Sequence, residues 1–213
     1  MATIPADEKV FMVSNSTNTI YSGSAALKAM SEWYTMQDVS DTIKPYKVFT
    51  ALLTQTGTGD ELNKNSGLLT VGVTYKIDDN SGGLDMTNVG APNNDMGTYF
   101  IATGTTPSSY GTGNLTYDPG APVAEVLENT IGNIWFTYNG QGLYLINSDE
   151  LFLNGKTFFT ITNTTNPLDV GNVVIYMYVN SVDNINMGAA VFPSGDGIDS
   201  VMTGTPIEIR IYN

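Results

Sequence analysis

Carboxylates are the side chains of this sequence suited to acid–base work or to holding a hard cation, and four groups of them stand out. Asp78, Asp79, Asn80 and Asp85 share one Gly-containing segment. Such a loop can offer several oxygens at about 2.3–2.6 Å, as a calcium site requires. Its spacing opens as D-x-N-x-G, but Val89 occupies the twelfth place, where the ligating glutamate belongs. A solvated turn is therefore expected, and the same holds for Ser194–Gly195–Asp196–Gly197–Ile198–Asp199. Glu125 and Glu128 bracket two apolar residues. Glycoside hydrolysis needs two carboxylates roughly 5–9 Å apart, yet strand residues three apart point to opposite faces. Asp149–Glu150 flank a turn and are ambiguous. No catalytic residue and no metal-binding set is expected from these patterns.

Aromatic residues form the other set. Tyr99, Phe100, Tyr110, Tyr117, Trp135, Tyr138 and Tyr144 include rings able to present an apolar face to a pyranose, and a tyrosine hydroxyl adds a hydrogen bond. Core packing and contacts between subunits compete with that reading. Tyr99, Tyr110 and Tyr117 are the candidate glycan contacts.

What the sequence lacks narrows the function further. It has 213 residues with no histidine and no cysteine. That removes the Ser–His–Asp triad, the imidazole acid–base catalyst, the thiolate nucleophile and the Cys-ligated metal centre. Eight basic and 21 acidic residues leave a formal charge of −13. Nucleic-acid binding needs a basic stripe to displace phosphate counterions, so no nucleic-acid partner is expected. No apolar run reaches the roughly 18 residues of a membrane span, and MATIPADEKVFMV lacks the basic start and long apolar core of an export leader. The chain is expected to be made in a bacterial cytoplasm, without membrane insertion and without a cofactor.

Charged residues make up 14% of the chain, against about 25% in ordinary globular proteins. Its polar surface must therefore come from Thr, Asn, Ser and Gly, which favour strands and tight turns over helix interiors. Residues 47–55, 71–77, 98–103, 143–146, 151–153, 157–162, 173–179 and 207–212 read as strands. Ile134, Phe136 and Tyr138 alternate with Trp135 and Thr137, and Ile207, Ile209 and Ile211 alternate with Glu208, Arg210 and Tyr212. Asn139–Gly140 and Asn154–Gly155 are read as tight reversals, because both central positions of a type I′ turn need positive φ. Residues 23–43 differ. Ala25, Ala26, Leu27, Ala29, Met30 and Trp33 are apolar or helix-forming, Thr35 and Asp38 have capping-box spacing, and Pro45 blocks continuation. Two short helices or one kinked helix fit there, and either leaves Leu27, Met30, Trp33, Tyr34 and Val39 as apolar surface that has to dock on something.

Three domains are expected: an N-terminal arm and helical anchor (1–45), a β-rich body (46–59 plus 121–213), and a Gly/Asn-rich β module (60–120) inserted in it. The fold class is mainly β, an antiparallel sandwich or jelly-roll-like domain with a helical anchor and an inserted β-hairpin module.

GLLTVGVTYKI (67–77) and LDMTNVGAPNNDMGTYFIATGTTP (84–107) resemble a short module recurrent in tailed-bacteriophage virion proteins. Gly72, Gly90, Gly97 and Gly104 match that module, and Met86 stands where phenylalanine is usual. YKVFTALLTQ (46–55) and APVAEVLENTIGNIWFTYNGQGLY (121–144) resemble structural proteins of Bacteroidetes and crAss-like phages. NTIYSGSAALKAMSEWYTMQDVSDTIKPY (18–46) resembles the helical base by which head-fibre or tail-fibre proteins attach to the particle. This resemblance implies a non-enzymatic virion structural protein, a fibre or capsid decoration. It implies a homotrimer docked on capsid or portal and tail components through Leu27, Met30, Trp33, Tyr34 and Val39. The alternative is a carbohydrate-binding receptor-adhesion module that contacts a host surface glycan.

Overall fold

The computed structural model describes residues 11–13, 20–22, 45–59, 61–162 and 172–212. The chain divides into two units, Met1–Pro45 and Tyr46–Asn213. In the first, β1 (Phe11–Val13) and β2 (Ile20–Ser22) pair antiparallel. The expected helix over residues 23–43, with Leu27, Met30, Trp33, Tyr34 and Val39, lies outside the described residues.

The second unit is mainly β and antiparallel throughout. One sheet has the order β11 (Thr157–Ile161), β14 (Thr205–Tyr212), β3 (Tyr46–Thr54), β8 (Val123–Asn129). A second has the order β12 (Asn172–Val179), β13 (Asn184–Phe192), β10 (Leu143–Ser148), β9 (Ile134–Gly140). Their inner faces share one core, in which Phe49, Leu53, Ile207 and Ile209 of the first sheet meet Phe136, Tyr144, Ile146, Ile185 and Met187 of the second. Phe49 and Phe136 bridge the layers with ring centroids 6.2 Å apart. Each such side chain contributes about 1.5–3 kcal/mol through burial, so this two-layer, sandwich-like core dominates the stability of the unit.

A third sheet is built from residues 62–117, in the order β4 (Leu62–Lys64), β7 (Asn114–Tyr117), β5 (Thr74–Asp79), β6 (Tyr99–Ile101). It has its own core of Tyr75, Ile77, Met86, Phe100 and Leu115. In sequence it sits between β3 and β8, which pair with each other. Hydrogen bonds join it to the two-layer body: Ala124 N–H donates to the Gly72 carbonyl at 2.9 Å, and Phe136 N–H donates to Thr74 Oγ1 at 3.1 Å. A 3-10 turn at Thr87–Val89 is the helical element among the described residues. None of them forms a helix long and apolar enough to cross a membrane.

Local expectations shift in four places. The strand expected from residue 71 starts at Thr74, because Gly72 turns the chain at φ +85°. Asn139–Gly140 does not make the reversal. It stays in β9 and forms a β-bulge opposite Leu143–Tyr144, while Gln141–Gly142 makes the turn. Asn154–Gly155 does turn the chain, but residues 151–153 are not a strand, and β11 pairs with β14 instead. The sequence reading also omits β13, which pairs on both edges.

Candidate functional site

Two of the three candidate glycan contacts come together. Tyr99 on β6 and Tyr117 on β7 border a cleft of about 290 Å³ between the small sheet and β9. Glu61, Lys76, Asp118, Thr137 and Tyr138 share its walls. Tyr110 is not in this lining. It packs on the core of the small sheet, and its hydroxyl donates to the Gly67 carbonyl at 3.0 Å. Tyr99 is itself engaged: its ring stacks on Trp135 at 5.4 Å and 8° between planes, and Lys76 Nζ lies 5.9 Å from its centroid. Tyr117 tilts onto the buried Tyr75 at 5.4 Å. The cleft therefore offers ring edges and hydroxyls rather than a bare stacking face.

Behind Tyr138 lies a network centred on Asp199, in a segment whose sequence reads as a solvated turn. Asp199 accepts three hydrogen bonds, from Tyr138 Oη at 2.9 Å, Tyr144 Oη at 2.8 Å and Gly142 N–H at 2.8 Å. Burial, reinforced by the Asp199 carboxylate, pushes the Tyr138 hydroxyl up to about 12 and the Tyr144 hydroxyl higher still. Both remain neutral donors at every physiological pH. A proton held so firmly is a poor general acid, since an efficient one has its pKa near the working pH. The buried Gln55 fastens the same corner, donating to the Gly57 and Gly120 carbonyls and accepting from Ser200 N–H.

The acidic segment at 78–85 is occupied by local capping. Asp79 accepts from the hydroxyl and N–H of Ser81, and Asp85 accepts from those of Thr87 and from the Asn94 amide. These bonds favour the charged form and hold both carboxyls below their usual range. Among the described residues, no three His, Cys, Asp or Glu side chains gather closely enough to hold a metal ion.

The outer faces of the two large sheets differ in chemistry. On β14, Glu208 pairs with Arg210, whose guanidinium lies 4.8 Å from the Tyr46 centroid. Strands β9, β10, β12 and β13 hold no Asp, Glu, Lys or Arg at all. Val174 (42% exposed), Tyr176 (40%) and Tyr178 (51%) alternate on β12 with core-facing Val173, Ile175 and Met177, and Leu143 (45%) is exposed on β10. Tyr176, Gly188 and Leu143 stand in one lateral row. The Tyr176 ring lies so close over Gly188 that a Cβ there would come within 2.2 Å of it.

The candidate docking residues Leu27, Met30, Trp33, Tyr34 and Val39 lie outside the described residues. No known protein family, curated protein or solved structure matches the chain.

Proposed function

We propose that this chain is a non-enzymatic structural protein of a tailed-phage virion, of fibre or capsid-decoration type. It self-associates, as a homotrimer, and docks on other virion components through residues 1–45. The observation that carries the reading is the outer face of β12, β13 and β10, three strands without a charged residue; the outer residues of β9, Trp135 and Thr137, border the small sheet instead. A chain of net charge −13 can keep every surface solvated with carboxylates, yet this face presents valine, leucine and two tyrosines. Exposed contiguous apolar surface of that kind marks association sites. The resemblance of residues 18–55, 67–77, 84–107 and 121–144 to virion proteins points the same way. Eight strands in two antiparallel sheets over one core make a sandwich-like β body, which is compatible with a projecting structural domain.

The test uses the full chain. Its native mass is expected to be that of a trimer, and its peptides are expected in purified virions of the producing phage. Trp33→Ala is expected to lower its incorporation into particles while leaving the circular dichroism of the β-body unchanged. A monomer at every concentration together with unchanged incorporation of Trp33→Ala overturns the reading.

A carbohydrate-binding adhesion module is the second reading. Tyr99, Tyr117 and Thr137 around one cleft favour it, because sugars are bound by aromatic edges and faces combined with hydroxyl and carboxylate partners.

A further inference from the structure

A second hollow, of about 410 Å³, opens beside Trp135, walled by Asn93, Met96, Thr98, Asn133 and Asp149. From its chemistry we infer that it is a binding site for a neutral saccharide, with Trp135 as the platform. The inference deepens the adhesion reading and rests on it, but it moves the sugar from the Tyr99–Tyr117 cleft to a hollow that shares only Tyr99 with it.

The indole is held in place by its parallel stack on Tyr99. Asn133 is oriented by two donations from its amide nitrogen, to the Tyr99 carbonyl at 3.1 Å and to Asp149 Oδ2 at 3.4 Å. Its Oδ1 has no partner among the described residues and is free to accept. On the facing loop, Asn93 Oδ1 accepts from Asp95 N–H at 2.9 Å and from Thr98 Oγ1 at 2.5 Å. That fixes the side chain and leaves its amide nitrogen as a spare donor among the described residues. Asn94 clamps the same loop: its Oδ1 accepts from Met86 N–H and its amide donates to Asp85. Exposed Asp149 adds a charged acceptor.

A preformed dish costs a ligand little ordering. Its inventory is a half-buried indole with Tyr99 stacked on one side, an amide donor, an amide acceptor and a carboxylate, with no lysine or arginine in the lining. Anionic ligands are disfavoured by Asp149 and by the charge of the whole chain. Vicinal hydroxyls donate and accept at once, and a pyranose ring offers C–H groups to an indole. That combination matches a neutral sugar.

The experiment is a printed array of neutral and sialylated glycans probed with the full chain, followed by titration of the glycans retained. Neutral glycans are expected to bind. Trp135→Ala is expected to abolish the signal, and Asp149→Ala to weaken it by about tenfold, while Tyr117→Ala leaves it intact. Should Trp135→Ala fail to fold, Asp149→Ala decides, since its side chain is exposed. Binding that survives both substitutions but is lost in Tyr117→Ala overturns the site and leaves the adhesion reading standing. A preference for sialylated glycans overturns the ligand class. No binding to any glycan overturns the site and the adhesion reading together.

Discussion

Asp199 shows how a residue without a local signature becomes a structural centre. Its two tyrosine partners are 61 and 55 positions away in the chain, so no spacing rule pairs them, and its Gly-rich surroundings read as an exposed turn. Tyr144 is fully buried. Tyr144→Phe keeps the ring but removes one of three donors to a charged acceptor, which costs about 1.5–3 kcal/mol; urea denaturation measures it. The pH dependence has a definite sign. Tyr138 ionises near 10 in the unfolded chain and at about 12 in the folded one. The folded state thus holds its proton more tightly, and the stabilisation is complete below pH 10 and lost as pH rises through 12. Melting temperatures taken from pH 8 to 12 should fall across that window, and Tyr138→Phe should shrink the fall. An equally steep decline in the variant assigns the loss elsewhere. The aromatic set was legible as a set. Which rings were already engaged was not, because the Tyr99–Trp135 stack joins residues of two different sheets.

At the level of elements, period-two alternation identified β9 and β14, since each buries one face against the shared core. It missed β13, whose NINMGAAVF sequence mixes Asn, Gly and Ala into positions where strand propensity is weak. Pairing on both edges and the Tyr176 ring over Gly188 hold that strand, and neither is a local property. Glycines of the small sheet were legible as turn positions, but not for what each turn avoids. Gly72 has φ +85°, and a Cβ there would meet the Ala124 carbonyl oxygen at 2.6 Å. Gly97 has nearly the same φ, +86°, with nothing within 4 Å. Gly97→Ala should therefore cost the backbone strain alone, about 1–2 kcal/mol. Gly72→Ala should cost more, because it also forces β8 away from the small sheet and weakens the Ala124–Gly72 hydrogen bond. Urea midpoints of the two variants, measured side by side, read the difference. Equal losses would mean that β8 yields freely at this join.

For the molecule as a whole, the proposed self-association raises the question of how copies carrying −13 each would approach one another. Long-range repulsion opposes every orientation, and it is screened within about 8 Å at physiological ionic strength. At a charged contact, salt would also weaken the attractive pairs. At the face made by β12, β13 and β10 there are no such pairs to weaken, so screening only lowers the repulsion. Self-association should therefore tighten as salt rises from about 20 to 500 mM, the range over which the Debye length falls several-fold; sedimentation equilibrium follows it. Three strands, β12, β13 and β10, at about 4.8 Å spacing and about 3.4 Å per residue span only some 400 Å², short of the roughly 800 Å² per partner of a stable interface. Further surface must join the contact, and the sheet's share of it is tested by inserting charge. Tyr178→Lys places an ammonium at the exposed position of β12, outside the core. Desolvating an unpaired charge at the centre of a contact should weaken association about 100-fold, near 3 kcal/mol, with the monomer's melting temperature unchanged. If Tyr178→Lys instead associates as well as the parent chain, or association loosens with added salt, the subunits meet through a charged surface elsewhere on the protein.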